Sequence, residues 1–322
     1  MARRVVFVLF DGCEVLDVAG PLQAFHEAAA YGTAYDVGYA ALAPTVRTAQ
    51  GLVFADLAPL PDDLAPGDRV IVPGYTPGQS TPPPALAAWV RRAAEAGAQV
   101  CSVCTGTFVL GEAGLLDGRH CTTHWKRVRE LQARFPHATV VGDRLFVEDG
   151  PVVSSAGIAA GIDMALAFLE RDGGPVLASS VAREMVVYLR RDGAHDQASV
   201  YLDFQTHLSP GIHHLQQHLV AHPESRASLG ELARLAGMSE RHLTRTFRRA
   251  TGISIGAYRE RLRLERARTL MRNPTLTVEA IAAACGYSDG RQLRRILRRA
   301  DGTGLIAGPV PRYGSPGTRA AG

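Results

Sequence analysis

The sequence predicts two folds in one chain: an α/β sandwich on a parallel sheet over residues 1–193, then an all-α domain with two helix-turn-helix units over 209–302. Three observations predict it. Short β-like runs alternate with helical stretches through the first two thirds, as in a parallel sheet covered by helices on both faces. A helix, a glycine and a capped helix occur twice in the last third, with Gly237 and Gly286 at corresponding places 49 residues apart. The charge divides between the same two regions. Residues 209–322 hold 19 Arg and no Lys against 8 acidic residues, a net of +11, whereas residues 1–208 carry 16 basic against 23 acidic, a net of −7. An acidic front joined to an arginine-rich back points to a polyanion as the partner of the back.

At 322 residues with 46% hydrophobic and 20% charged content, the chain is long enough for about two cores. Its longest apolar runs fall far short of the ~18 residues a membrane span needs, so no membrane partner is expected. The start, MARRVVFVLFDG, has a basic n-region, but its apolar run stops at Asp11 and suits a buried first strand better than a secretory leader. Five cysteines at 13, 101, 104, 121 and 285 show no framework spacing and are expected as free thiols in the cytoplasm.

In the front, the expected strands are VVFVLF (5–10), VGYAAL (37–42), RVIVPG (69–74), QVCSVC (99–104) and PVVSSAG (151–157). The expected helices are PLQAFHEAA, PPALAAWVRRAAEAG, GTFVLGEAGLL, WKRVRELQARF and AAGIDMALAFLERD. Ligands of such sheets bind beyond the strand carboxyl ends, where the loops read DGCEVLD, PGYTPG, CTGT and SSAGIAAG. Cys104 lies at one of these ends. A strand running into Thr105-Gly106-Thr107 and an apolar helix makes a tight turn that exposes a thiol beside helix N–H groups. That field lowers a thiol pKa and stabilises an oxyanion.

In the back, Leu229, Leu232, Ala233 and Ala236 recur at helical spacing, Gly237 ends that helix, and Ser239 caps the next, 240–250. Leu243 and Phe247 face inward there, leaving Arg241, His242, Thr244, Arg245 and Arg248 outside. The second copy repeats this with Val278, Ile281 and Ala282, Gly286, a cap at Ser288, Leu293 and Leu297 inside, and Arg291, Arg294, Arg295 and Arg298 outside. A helix over 256–271, with Tyr258, Leu262 and Leu270 on its apolar side, holds the two units rigidly for successive major grooves about 34 Å apart. His214, His218 and His222 recur every four residues, but with no Cys or acid nearby they read as a polar helix face and not a metal site.

The segment 210–300 resembles the AraC/XylS family of transcription regulators. That resemblance implies base contacts from Arg241, Thr244 and Arg245 in the first unit and Arg291, Arg294 and Arg295 in the second, with Arg248 and Arg298 on phosphates. Two departures stand out: Ile255 occupies a usual Pro position, and Pro309 and Pro311 interrupt the expected closing helix, leaving 303–322 as a disordered tail.

The combination FDGCEVLDVAGP, IVPGY, SVCTGTFVLGEAGLLDGRHCTTHW and SSAGIAAGID resembles the ThiJ/PfpI group of class I glutamine-amidotransferase-like proteins, implying a flavodoxin-like sandwich. Both halves together resemble the GlxA-type regulators, in which a ligand-binding and dimerising domain (1–193) and a linker (194–208) precede the DNA reader. By position, Cys104 matches the elbow cysteine and Asp17 the acid beside it. Gly74 and Tyr75 match the oxyanion-side backbone, His124 a pocket histidine, and Thr105 and Ser155 the same pocket. Thr105 stands where protease-like members carry His, so the Cys–His pair of amide hydrolysis is missing.

The expectation is therefore a homodimeric regulator of double-stranded DNA, answering to a small-molecule effector near Cys104, with no cofactor and no metal. Two readings stand beside it: a cysteine-dependent enzyme resembling isocyanide hydratases, with Cys104 and Asp17 catalytic, and a thiol-based sensor of electrophiles.

Overall fold

The computed structural model describes residues 3–187, 209–271, 273 and 275–300, and the chain divides into two compact units, Met1–Gln197 and Ala198–Gly322. The expected linker 194–208, the tail 303–322 and the prolines at 309 and 311 lie outside the described residues.

The first unit is built on a seven-stranded sheet. In spatial order its strands are Phe146–Asp149, Val152–Ser155, Gln99–Val103, Arg69–Val72, Arg3–Leu9, Tyr35–Ala41 and Ala58–Pro59. All neighbours are parallel except the edge hairpin formed by the first two. From Val5 to Leu9, and along the whole of Arg69–Val72, successive residues are buried. Successive side chains of a strand point to opposite faces, so uninterrupted burial requires cover on both faces of the sheet. Helix Val15–Glu27 packs on Ile158–Glu184, and helix Pro84–Glu95 on Gly106–Glu112. The strand order reverses between Arg3–Leu9 and Arg69–Val72, whose carboxyl ends therefore open the crevice in which such sheets hold ligands.

Two helices depart from the sequence reading. The first begins at Val15, not Pro21, so Pro21 sits inside it and Asp17 lies in its first turn instead of in a loop. The proline ring fits there because Gly161 of the neighbouring helix leaves room: a Cβ at Gly161 would lie 3.1 Å from Pro21 Cγ. The last helix continues past Asp172 to Glu184 across a kink where Gly174 adopts φ 87° and Pro175 follows. Sequence periodicity stops at such a Gly-Pro break even when helix resumes beyond it.

At the amino ends of three neighbouring strands, Arg69 donates to Asp172 through Nη1 at 2.6 Å and Nη2 at 2.9 Å. Tyr35 Oη adds a hydrogen bond at 2.8 Å and Arg3 an ion pair at 3.1 Å. Burial alone would raise the Asp172 pKa, but the bonds from Arg69 and Tyr35 and the nearby guanidiniums outweigh it and hold the carboxyl below its usual value.

In the second unit, helices Pro210–Ala221, Leu229–Leu235 and Glu240–Thr251 enclose one core around Leu215, Leu243 and Phe247. Helices Val278–Ala284 and Gly290–Ala300 enclose another around Ile281, Cys285 and Leu293. The helix Ile255–Met271 serves both, giving Ile255, Tyr258 and Leu262 to the first and Ala267 to the second. Ile255, at the usual proline position, is buried as the first residue of that helix. Both turn glycines have positive φ, 66° at Gly237 and 74° at Gly286, which L side chains rarely adopt. Ser239 caps Glu240–Thr251 by accepting from the His242 amide. The second recognition helix is capped by Asp289, not Ser288: Asp289 Oδ1 accepts from the Gln292 amide at 2.7 Å, while Gln292 Oε1 accepts from the Ser288 amide at 2.7 Å. Asp is as good a cap as Ser, and the reciprocal glutamine selects the register.

Replacing Asp172 by Asn strips the buried Arg69 of its counter-charge. It is expected to lower the stability of the first unit by about 3 to 5 kcal/mol, read from its urea transition at neutral pH. Because the folded pKa of Asp172 is depressed, its contribution is complete above the unfolded carboxylate pKa and is lost as pH falls through the folded one. The difference between wild type and Asp172→Asn is therefore expected to close in acid; equal stability at neutral pH would dismiss the pair as a support.

Candidate functional site

The strand Gln99–Val103 ends at Cys104, which takes φ 57°, and the helix Gly106–Glu112 starts two residues on. A non-glycine residue in this conformation costs about 1–3 kcal/mol and needs its surroundings to hold it. The surroundings do so from several sides. The Cys104 amide donates to Ser155 O at 2.9 Å, and its carbonyl accepts from Thr107 Oγ1 at 3.1 Å and Thr123 Oγ1 at 2.9 Å. Gly106 lets the turn press against the neighbouring strand, since a Cβ there would lie 2.3 Å from Val72 O.

Gly74, at the strand-order reversal, brings the predicted groups together. A Cβ at Gly74 would lie 2.5 Å from Asp17 Oδ2, 2.9 Å from Cys104 Cβ and 2.9 Å from Thr105 Oγ1. The Gly74 amide donates to Asp17 Oδ2 at 2.9 Å. The Tyr75 amide donates to Thr105 Oγ1 at 2.7 Å, and the same hydroxyl donates to Tyr75 O at 2.5 Å. Both amides expected on the oxyanion side are thus already engaged.

Electrostatics in this nest run opposite to the expectation for a reactive elbow. Burial, then the charge of Asp17, push the Cys104 thiol up to about 12, against a smaller lowering by the Thr105 amide. Asp17 is itself driven to about 7 by burial, with the Gly74 amide pulling the other way. Its second oxygen, Oδ1, is buried without a hydrogen-bond partner. The helix field that lowers a thiol pKa loses here to desolvation, because Cys104 is only 8% exposed and Asp17 not at all. Cys101, three residues before Cys104, is fully buried in the strand and also pushed to about 12 by burial.

The remaining predicted residues divide. Ser155 is adjacent through its backbone, but its hydroxyl donates away, to Ser102 O at 3.2 Å. His124 is half-buried, with Cδ2 3.4 Å from where a Gly157 Cβ would be, and burial lowers its pKa, aided by Lys126 and Arg127. Thr107 and Thr123, which hold the strained carbonyl, were not singled out from the sequence. Their signal is the repeated threonine in CTGT and TTHW, which no spacing rule assigns to a partner.

In the second unit, Arg241, Thr244, Arg245 and Arg248 are exposed on Glu240–Thr251 over buried Leu243 and Phe247. Arg291, Arg294, Arg295 and Arg298 are exposed on Gly290–Ala300 over buried Leu293. Among the described residues no ion pair occupies any of these seven guanidiniums, so their charge stays available. Thr244 Oγ1 donates to Glu240 O at 2.9 Å, leaving it as an acceptor and a methyl contact. Arg263 donates to Pro223 O at 2.9 Å and Ser225 O at 2.8 Å, and Arg259 to Ala227 O at 2.9 Å. The Arg263 guanidinium also lies 5.9 Å from the Tyr287 ring, so the long helix ties the segment entering the first helix-turn-helix to the turn of the second one. The His218 and His222 rings lie 4.9 Å apart, tilted by 48°, and His222 faces Glu224 at 3.6 Å, a nearby acid that the sequence reading did not count; no group of three metal-ligating side chains occurs among the described residues. No described helix is long and apolar enough to cross a membrane.

These two arrangements recur in known proteins. The DJ-1/PfpI family matches residues 3–171, and a helix-turn-helix domain matches residues 232–303. The HTH-type transcriptional regulator CdhR of Pseudomonas aeruginosa is 32% identical over 239 residues, 74% of this chain and 70% of that protein. An isonitrile hydratase of Pseudomonas putida is 34% identical over 180 residues, 52% of this chain and 70% of that protein. The crystal structure of an AraC family transcriptional regulator from Pseudomonas putida shares the fold, with TM-score 0.52 and 21% identity over 57% of this chain and 99% of that one. With a sheet and elbow of the one kind and paired arginine-faced helices of the other, the chain belongs to the DJ-1/PfpI family, in the branch of HTH-type transcriptional regulators that carry an AraC-type DNA-binding domain.

Proposed function

We propose that the protein reads a promoter through Arg241, Thr244, Arg245, Arg291, Arg294 and Arg295, with Arg248 and Arg298 on phosphates, under control of a small molecule bound beside Cys104. The observation that carries this reading is the pair of exposed, arginine-faced helices, each on its own core and both seated on Ile255–Met271. One continuous helix under both readers holds their spacing, as binding along one face of a duplex requires. The pocket proposed for the effector consists of Gly74, Tyr75, Cys104, Thr105, His124 and Ser155, at the crevice where parallel sheets take ligands. An effector changes DNA affinity only by binding two states of the protein unequally. Domain limits of 1–193 and 209–302, a homodimer through the first domain and a cytoplasmic location belong to the same proposal. Support for the dimer comes from Leu16, Trp125 and Ile158, apolar side chains that the first unit leaves exposed.

The second reading, an enzyme or a thiol sensor using Cys104 and Asp17, is favoured by the strained elbow and the buried acid beside it. Against it stand a thiol that burial keeps protonated and two amides already committed to Asp17 and Thr105.

Selection of bound duplexes by the full chain is expected to recover a defined sequence, and Arg245→Ala to weaken binding by about 1–3 kcal/mol while relaxing preference at one base step. Equal binding of random duplex at physiological salt would defeat the regulator reading, and an unchanged preference would remove Arg245 from the base readers. Iodoacetamide should label Cys104 slowly at neutral pH, at a rate that keeps rising into the alkaline range. Asp17→Asn removes a charge that raises the thiol pKa, so its labelling profile shifts to lower pH. A plateau near neutrality in the wild type would restore the reactive-thiol readings.

A further inference from the structure

We propose that Arg144 anchors the carboxylate of a small organic acid, placing the effector between residues 122–124, 143–145 and 155–157 at the carboxyl end of the sheet. This deepens the effector reading above and rests on it.

The observation is a buried cation without a hydrogen-bonded or ion-paired side-chain partner among the described residues. Arg144 is 7% exposed, and its Nη2 is buried without a hydrogen-bond partner. No side-chain hydrogen bond or ion pair of Arg144 occurs among the described residues. Asp143, its chain neighbour, does not fill the gap, since its own Oδ2 is buried and unbonded as well. Arg69, the other buried arginine among the described residues at 6% exposed, is held in a fork by Asp172, and even the half-buried Arg259 and Arg263 donate to backbone carbonyls. A guanidinium does not escape burial by losing its proton, so an unpaired one costs stability that only an incoming anion recovers.

The position ties this cation to the crevice. Arg144 O accepts from Thr122 Oγ1 at 3.3 Å, and the next residue, Thr123, holds the Cys104 carbonyl at 2.9 Å. Leu145 O accepts from the Ala156 amide at 2.7 Å, one residue beyond Ser155, whose carbonyl holds the Cys104 amide. Phe146 pairs with Ser155, the last residue of its strand, so residues 143–145 lie at the same end of the sheet as Cys104. Leu145, Ala156 and Ala160 form a small apolar cluster apart from the main core, a suitable neighbour for the carbon skeleton of an organic acid. The planar fork of arginine matches a carboxylate in two parallel hydrogen bonds, which selects carboxylates over neutral analogues.

The test uses the full chain and a series of straight-chain acids from acetate to adipate, each beside its neutral amide, followed by thermal shift and calorimetry. At least one carboxylate is expected to stabilise the wild type while its amide does not. Arg144→Met should weaken that binding about tenfold or more while melting no lower than wild type without ligand, because it removes an uncompensated charge. Arg144→Lys, which keeps the charge without the fork, should also bind more weakly. A lower melting temperature for ligand-free Arg144→Met, binding by both variants as tight as by the wild type, or no response of the wild type to any acid would each overturn the assignment. DNA affinity measured in the same samples separates the two readings. Anion binding that depends on Arg144 but leaves DNA affinity unmoved retains the site and defeats effector control. A DNA response to an acid that persists in Arg144→Met retains effector control and defeats the site.

Discussion

Thr105 holds the Tyr75 peptide at both ends, accepting from its amide and donating to its carbonyl, and the first domain is organised around that clasp. It joins the turn after Arg69–Val72 to the turn after Gln99–Val103, beside the place where strand order reverses. Gly74 makes the joint possible, because any side chain there would collide with Asp17, Cys104 and Thr105 together. The clasp also explains why a histidine is not needed at 105 in this chain: the position is spent on architecture. With both nearby amides committed, the nest is shaped to hold Cys104 in place more than to stabilise developing charge.

Desolvation is the dominant physical effect in the same region. It raises Cys104, Cys101 and Asp17 together and leaves one Asp17 oxygen unbonded. A helix amino terminus, which acts over about one turn, is too weak to reverse this. In this chain the elbow geometry alone therefore does not lower the thiol pKa.

The DNA-binding domain depends on a different constraint, the sharing of one helix by two small cores. Neither core is large, and each recognition helix contributes few buried residues beyond Leu243 and Phe247, or Leu293. Seating both on Ile255–Met271, with Arg263 at the junction, converts two marginal units into one reader of fixed spacing. The arginines left outside are thereby carried on one continuous support.

Local pattern alone determined much of this protein. Alternating runs placed five strands, glycines at 237 and 286 placed both turns, and four-residue spacing separated buried leucines from exposed arginines, because each of these signals lies within a few residues of chain. Cys104 was legible as an elbow for the same reason: strand, Thr-Gly-Thr and helix are contiguous. Where a proline or a neighbouring cap competed, as at Pro21 and at Ser288 against Asp289, the local signal was ambiguous and packing chose. The rest belonged to tertiary structure. That Gly74 gathers Asp17, Cys104 and Thr105, that Thr107 and Thr123 hold the strained carbonyl, and that Arg144 is buried without a partner all depend on segments tens of residues apart. The sign of the thiol pKa shift is the clearest case: burial is a property of the folded surroundings, and no arrangement of neighbours along the chain encodes it.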